Sequence, residues 1–160
     1  MLEKREFYIN GEWVSPAAPK DHHVIDPSTE EPCAVISLGD QADTDAAVAA
    51  AKAALPGWMA TPPEKRIALL EKLLEVYQAR AEDLAKAMST EMGAPMDLAR
   101  TSQVGAGAWH LSNFIKAAKE FKFEQPLGDH APNDRIIREA VGVAGLITPW
   151  NWPMNQITLK

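Results

Sequence analysis

The stretch that decides the fold is Gly142-Val143-Ala144-Gly145-Leu146-Ile147-Thr148-Pro149-Trp150-Asn151-Trp152-Pro153. Its first part, Val143 to Ile147, carries no charge and predicts a short strand buried on both faces of a parallel sheet. Pro149 and Pro153 lack an N–H and disfavour helix in the residue before them, so residues 148–153 are predicted to form an irregular loop. Open α/β sheets bind their ligands at such loops, beyond the carboxyl ends of the strands. We therefore expect a ligand site here.

The predicted loop offers one amide side chain between two indole rings. Asn151 can donate two hydrogen bonds, and the rings of Trp150 and Trp152 can exclude water or cover a flat ligand. Residue chemistry alone leaves two roles open for Asn151. Its amide can stabilise charge on a bound ligand, or it can cap the following helix and tie the loop.

Four stretches of the chain resemble the aldehyde dehydrogenase family in order and spacing. They are Tyr8-Ile9-Asn10-Gly11-Glu12-Trp13-Val14, Asp26-Pro27-Ser28-Thr29-Glu30, Glu91-Met92-Gly93-Ala94-Pro95, and the strand and Pro-Trp-Asn loop quoted above. The resemblance implies an α/β fold in which an amino-terminal β-meander accompanies the helices of a Rossmann-like nucleotide-binding domain. Because members of this family are much longer than 160 residues, we expect an incomplete aldehyde dehydrogenase fold, an amino-terminal piece.

The resemblance also divides the chain. Residues 1–120 correspond to the amino-terminal part of the NAD(P)-binding domain, residues 121–140 to an extended oligomerisation arm, and residues 141–160 to the first strand and Pro-Trp-Asn loop of the nucleotide-binding sheet. The family's nucleophilic cysteine and general-base glutamate come later in such chains. The catalytic domain is therefore expected to be absent from this chain.

The function that the resemblance implies is oxidation of an aldehyde to a carboxylic acid with NAD(P), through a cysteine thiohemiacetal and a thioester. Asn151 matches the family's oxyanion-stabilising asparagine, and Lys160 matches a lysine near the nicotinamide, so both are predicted to be catalytic. Thr148, Pro149 and Trp150 are predicted to bind the cofactor together with Asn151 and Lys160. NAD and NADP remain alternatives, because the family's ribose contacts come from later residues. The particular aldehyde stays open as well.

A second interpretation is a catalytically inactive truncated form that acts as a binding or assembly module. The predicted partners of the enzyme are the aldehyde and the dinucleotide, and the full-length form is expected to be a homodimer or homotetramer. No metal site is predicted. Glu91 and the carbonyl of Ile25 match positions that hold a cation in some relatives, but one carboxylate and one carbonyl do not define a site.

Composition excludes several other classes of function. The chain has 16 basic and 22 acidic residues, a net charge of −6, and no basic cluster, which argues against nucleic acid and anionic membrane surfaces as partners. No apolar run reaches transmembrane length, and the charged amino terminus lacks a signal-peptide pattern, so we predict a cytoplasmic protein. The single cysteine, Cys33, opens a strand-like run and is interpreted as structural.

Local signals predict the remaining elements. Asn10-Gly11 predicts a hairpin with a type I′ turn, and the run from Cys33 to Leu38 predicts another strand of the meander. Phe121 to Glu124 and Arg135 to Ala140 have β character and belong to the predicted arm.

Four helices are predicted between the meander and the arm. The first is capped by Asp43 and ends before Pro56-Gly57, and the second begins at a capping box formed by Thr61 and Glu64. The third runs from Ala81 to Met92 and ends at a left-handed Gly93, and the fourth covers roughly Met96 to Lys119. Within the fourth helix, Gly105 and Gly107 either permit close backbone approach or have no special purpose.

Overall fold

The structure is a computed structural model that describes all 160 residues. Seven short strands are present: β1 (Leu2–Lys4), β2 (Phe7–Ile9), β3 (Glu12–Val14), β4 (Asp21–Asp26), β5 (Glu31–Ser37), β6 (Glu124–Pro126) and β7 (Arg135–Ile137). The helices are α1 (Gln41–Met59), α2 (Pro63–Ala79), α3 (Ala81–Met92), α4 (Met96–Leu98), α5 (Val104–Glu120) and α6 (Pro153–Leu159). A π-helical turn, Ala99–Gln103, joins α4 to α5.

The amino-terminal strands form two sheets. Strands β2 and β3 make the predicted hairpin, and its turn is of type I′ because Asn10 and Gly11 both have positive φ, 55° and 84°. Strands β4 and β5 pair antiparallel as expected, but β1 adds to β5 in parallel, so the three-stranded order is β1-β5-β4. The predicted meander is thus two separate sheets. Strand β1 was not predicted, because it has only three residues and two of them are charged.

Three helix boundaries differ from prediction. Helix α1 is capped by Asp40, not Asp43; Asp43 lies three residues on and completes a reciprocal capping box with Asp40. Pro56 does not end α1, because it lies in the last turn and the helix closes beyond it, with the N–H of Ala60 donating to its carbonyl. The capping box predicted at Thr61 is absent. The Thr61 hydroxyl instead donates back to the carbonyl of Gly57 at 2.9 Å.

The other helices follow their predicted limits. Helix α3 ends at Gly93 with φ of 73°, as expected for a left-handed cap. Pro27 of the β4–β5 turn packs closely on this glycine, because its Cγ would lie only 2.7 Å from a Cβ added there. From Met96 the chain stays helical to Glu120, interrupted only by the π-helical turn. That turn was not predicted from the sequence.

The main core lies where α2, α3 and α5 meet. Its seven buried residues are Tyr77, Ala85, Met88, Ala94, Ala99, Val104 and Leu111. The Tyr77 hydroxyl donates to the carbonyl of Val104 at 2.9 Å, and burial raises the pKa of Tyr77 to about 12, so the hydroxyl keeps its proton. Gly107 is required beside it. A Cβ there would overlap the hydroxyl and lie 2.8 Å from the ring Cζ.

The arm is a two-stranded antiparallel ribbon of β6 and β7. Two cation–π contacts hold the base of this ribbon. Arg66 of α2 lies over the ring of Phe123 at 4.9 Å, and within the arm Arg138 lies over the ring of Phe121 at 5.3 Å. The predicted strand at Phe121 to Glu124 begins only at Glu124.

The strand predicted from Val143 to Ile147 does not form. Residues 138–149 contain neither helix nor strand, and Val141 and Ile147 are 100% and 89% exposed. A strand of a parallel sheet needs neighbours for its ladder hydrogen bonds, and no other strand of this chain lies beside it. The sequence pattern therefore predicted an element whose pairing partners are not among these residues.

We expect Gly107→Ala to destabilise the protein and Gly105→Ala not to. The added methyl at 107 must displace Tyr77 or α5, at a cost of about 1–3 kcal/mol. At 105 nothing lies within 4 Å, so alanine should be neutral or stabilising by about 0.5–1 kcal/mol. Thermal unfolding midpoints compare the two variants. Equal midpoints would contradict this account of Gly107.

We also expect the 160-residue chain on its own to be marginally stable. Only 14 of its 160 residues are buried, and large side chains of α2 and of residues 141–147 are exposed. Size-exclusion chromatography followed by a thermal melt tests this expectation. A monodisperse monomer that melts cooperatively would disprove it.

Candidate functional site

The predicted site loop leads directly into α6, which packs on α5. Met154, in the first turn of α6, contacts the core cluster, and its Cβ lies 3.3 Å from where a Cβ of Gly107 would be. One residue further on, the Oδ1 of Asn155 is 2.8 Å from the Nε2 of His110. Gly107 and His110 are three residues apart on α5, so they lie on one face of that helix. Consecutive residues of α6 therefore contact one stripe of α5.

The structure places the predicted loop residues together on the surface. Thr148, Pro149 and Asn151 are exposed, and the ring of Trp150 is 76% exposed. No backbone hydrogen bond within the protein involves residues 148–151. Their carbonyl groups, and the N–H groups of all but Pro149, are therefore available to a ligand, together with the face of an indole ring.

The side chain of Asn151 makes no hydrogen bond to the rest of the chain. Helix α6 has Trp152 at its N-cap and no side-chain cap, so the amide does not serve the helix-capping role that residue chemistry alone left open. Both of its donors are free for an acceptor outside these residues.

Lys160 lies apart from the other predicted site residues. It follows α6, whose seven residues span roughly 10 Å, whereas Asn151 precedes that helix. Lys160 borders an open groove of about 580 Å³ between α2, α5 and α6, in which 11 of the 13 lining residues are hydrophobic. The structure thus places Thr148, Pro149, Trp150 and Asn151 on the loop before α6, and Lys160 at the opposite end of that helix.

His110 and Asn155 were not predicted from the sequence. They are 45 residues apart, and neither belongs to a local motif that signals the other. Helical periodicity places His110 on the same face of α5 as Gly107, but it cannot say which residue of a later helix faces it.

Other reactive groups of the chain do not join this loop. Cys33 is half-buried on β5, and its thiol donates to the carbonyl of Val24 at 3.3 Å, as the structural interpretation expects. No three His, Cys, Asp or Glu side chains gather closely enough to hold a metal ion. No helix combines the length and the apolar character needed to cross a membrane.

Comparison with known proteins shows that this fold and loop are those of a class of oxidoreductases. The model of the aldehyde dehydrogenase family matches residues 13–160. The chain belongs to the aldehyde dehydrogenase family.

Individual relatives agree over the whole chain. The chain is 42% identical to 3-succinoylsemialdehyde-pyridine dehydrogenase from Pseudomonas sp., over 100% of this chain and 33% of that protein. A crystal structure of aldehyde dehydrogenase from Bartonella henselae is 54% identical, with a TM-score of 0.98, and covers 100% of this chain and 34% of that one.

A third relative was solved with ligands. A mutant of aldehyde dehydrogenase C from Pseudomonas syringae, complexed with NAD⁺ and octanal, is 42% identical with a TM-score of 0.92, over 96% of this chain and 31% of that one. The chain therefore spans about a third of the length of the relatives it matches. The predicted fold class, an incomplete aldehyde dehydrogenase fold, is confirmed.

Proposed function

We propose that the protein containing this chain oxidises an aldehyde to a carboxylic acid with NAD or NADP. The observation that carries the proposal is the agreement, over 96% of this chain, with an aldehyde dehydrogenase solved with NAD⁺ and octanal. The exposed Pro-Trp-Asn loop supports it, since its amide, its backbone groups and one indole ring are all free to bind ligands.

Asn151 is proposed to stabilise the oxyanion. When a cysteine thiolate from another part of the enzyme adds to the aldehyde carbon, the carbonyl oxygen becomes a negatively charged oxygen of a thiohemiacetal. An amide N–H already directed at that oxygen stabilises it more than it stabilises the neutral aldehyde. Hydride loss from the carbon then gives a thioester, which water hydrolyses to the acid and the free thiol.

The residues of the loop fit a dinucleotide. We propose that the free backbone groups of Thr148 and Pro149 hydrogen bond to the cofactor and that the ring of Trp150 covers part of it. The nicotinamide, when bound, accepts the hydride. Lys160 is proposed to contribute a positive charge near it from the far end of α6. NAD and NADP remain alternative cofactors.

Assembly through the arm is a further part of the proposal. The ribbon of β6 and β7 has unpaired outer edges, and Ile137 on it is 64% exposed. Unpaired edges are able to pair with another chain, which supports a homodimer or homotetramer. The cytoplasmic location stays a prediction from the sequence.

The decisive experiment is aldehyde-dependent formation of reduced cofactor by the complete natural protein that contains these residues. A panel of aliphatic and aromatic aldehydes is tested with NAD and with NADP separately, with omission of aldehyde as the control. Turnover with one cofactor supports the proposal. A folded protein that binds partners but turns over no aldehyde would favour the binding or assembly module.

We expect Asn151→Ala to lower kcat by roughly 10²–10³-fold, because one oxyanion donor is lost. The KM for the cofactor should change little, since the amide acts on the reacting oxygen. Steady-state kinetics provide both constants. The matched control is Asn113→Ala, an exposed asparagine on α5, which should keep the parent kcat. An unchanged kcat in Asn151→Ala would remove this residue from catalysis.

A further inference from the structure

The position of the site loop depends on how α6 packs, because α6 is too short to be stable alone. It has seven residues, and isolated helices of that length do not persist in water. Its packing surface is α5, together with the π-helical turn before it. The loop before α6 has no backbone hydrogen bonds of its own from residue 139 to residue 151. The direction of that loop is therefore set mainly where α6 begins.

Two contacts fix the first turn of α6 on α5. Met154 packs beside Gly107, with its Cβ 3.3 Å from where a Cβ of that glycine would be, and such an apolar contact has no preferred direction. The His110–Asn155 hydrogen bond is directional, and it is the one side-chain hydrogen bond that joins α6 to another element. Both partners are half-buried, so water competes with it less than at an exposed site.

The geometry also assigns a donor and an acceptor. With Oδ1 of Asn155 facing it, the Nε2 of His110 must carry a hydrogen and donate it. Asn155 is four residues after Asn151, one helical turn along the chain. A rotation or slide of α6 on α5 would therefore redirect the Asn151 amide, which no other hydrogen bond holds.

We propose that His110 and Asn155 are positioning residues that act through Asn151. Their hydrogen bond fixes the rotation of α6 on α5, and through Pro153 and Trp152 it fixes the direction in which the Asn151 amide points. The inference rests on the proposed function, because it is the oxyanion role of Asn151 that gives this direction a catalytic consequence.

The test is steady-state kinetics of His110→Leu and Asn155→Leu in the complete protein, with kcat expressed per folded active site. Each variant should lower kcat roughly tenfold, because an oxyanion donor displaced by a fraction of an ångström is less effective. The KM for the cofactor should stay near the parent value. Asn113→Leu, at an exposed position of α5, is the matched control and should keep the parent kcat.

A conservative variant distinguishes positioning from simple packing. In His110→Gln the amide nitrogen can occupy nearly the place of Nε2 and donate to Asn155, so it should recover most of the kcat lost in His110→Leu. If the leucine variants do not fold, Asn155→Ala replaces them, because it removes the acceptor without adding a large apolar side chain. Loss of kcat in His110→Gln equal to that in His110→Leu would overturn the proposal.

The most decisive experiment combines His110→Leu with Asn151→Ala in one double variant. If His110 acts through Asn151, its loss should change kcat there by less than about twofold, because the group that it positions is already gone. A further tenfold loss would overturn the positioning role. No turnover by the unsubstituted protein would overturn both this inference and the proposed function, whereas normal turnover with fully active His110 and Asn155 variants would overturn the inference alone.

Discussion

The close approach of Tyr77 to α5 is the contact on which the rest of the structure depends. It requires Gly107, since any Cβ there would overlap the hydroxyl, and it provides a buried donor for the carbonyl of Val104 at 2.9 Å. Met154 of α6 also lies near this glycine, with its Cβ 3.3 Å from where a Cβ would be, so α2 and α6 both approach α5 at Gly107. The absence of a side chain at Gly107 therefore allows both α2 and α6 to pack closely on α5 at this point.

Unlike the closely packed contact at Gly107, part of the apolar surface of this chain is uncovered. The groove between α2, α5 and α6 and the extended residues 141–147 carry large apolar side chains that nothing in this chain covers. Residues 141–147 lead into the Pro-Trp-Asn loop, and the groove lies beside α6, which follows that loop. In relatives about three times as long, such surfaces have further chain available to bury them, which agrees with the coverage of about a third. The side chains around Gly107 are therefore well packed, whereas apolar side chains near the Pro-Trp-Asn loop are exposed.

Features that depend on neighbouring residues could be predicted from the sequence, whereas contacts between residues far apart along the chain could not. Asn10-Gly11 determines its turn through its own backbone preferences, and Gly93 ends α3 for the same reason, so both were predicted correctly. The pairing of β1 with β5 joins residues 32 positions apart, Leu2 with Ala34, and no local signal encodes it. The strand expected at Val143 to Ile147 failed because a ladder needs a neighbour, and hydrophobic pattern reports burial preference rather than the presence of a partner. The irregular conformation of residues 148–152 was predictable, whereas the His110–Asn155 hydrogen bond was not.

The Pro-Trp-Asn loop is ordered differently from the ligand loops of open α/β sheets. In an open α/β sheet the ligand loop is usually positioned by the strand that precedes it. Here the loop is ordered from its other side, because α6 has a core contact at Met154 and a directional bond at Asn155, while residues 138–149 have no ladder. The contacts of α6 with α5 are therefore the ordered packing nearest to the Pro-Trp-Asn segment. A strand that later pairs before the loop would add a second constraint, and the direction of the Asn151 amide has to satisfy both.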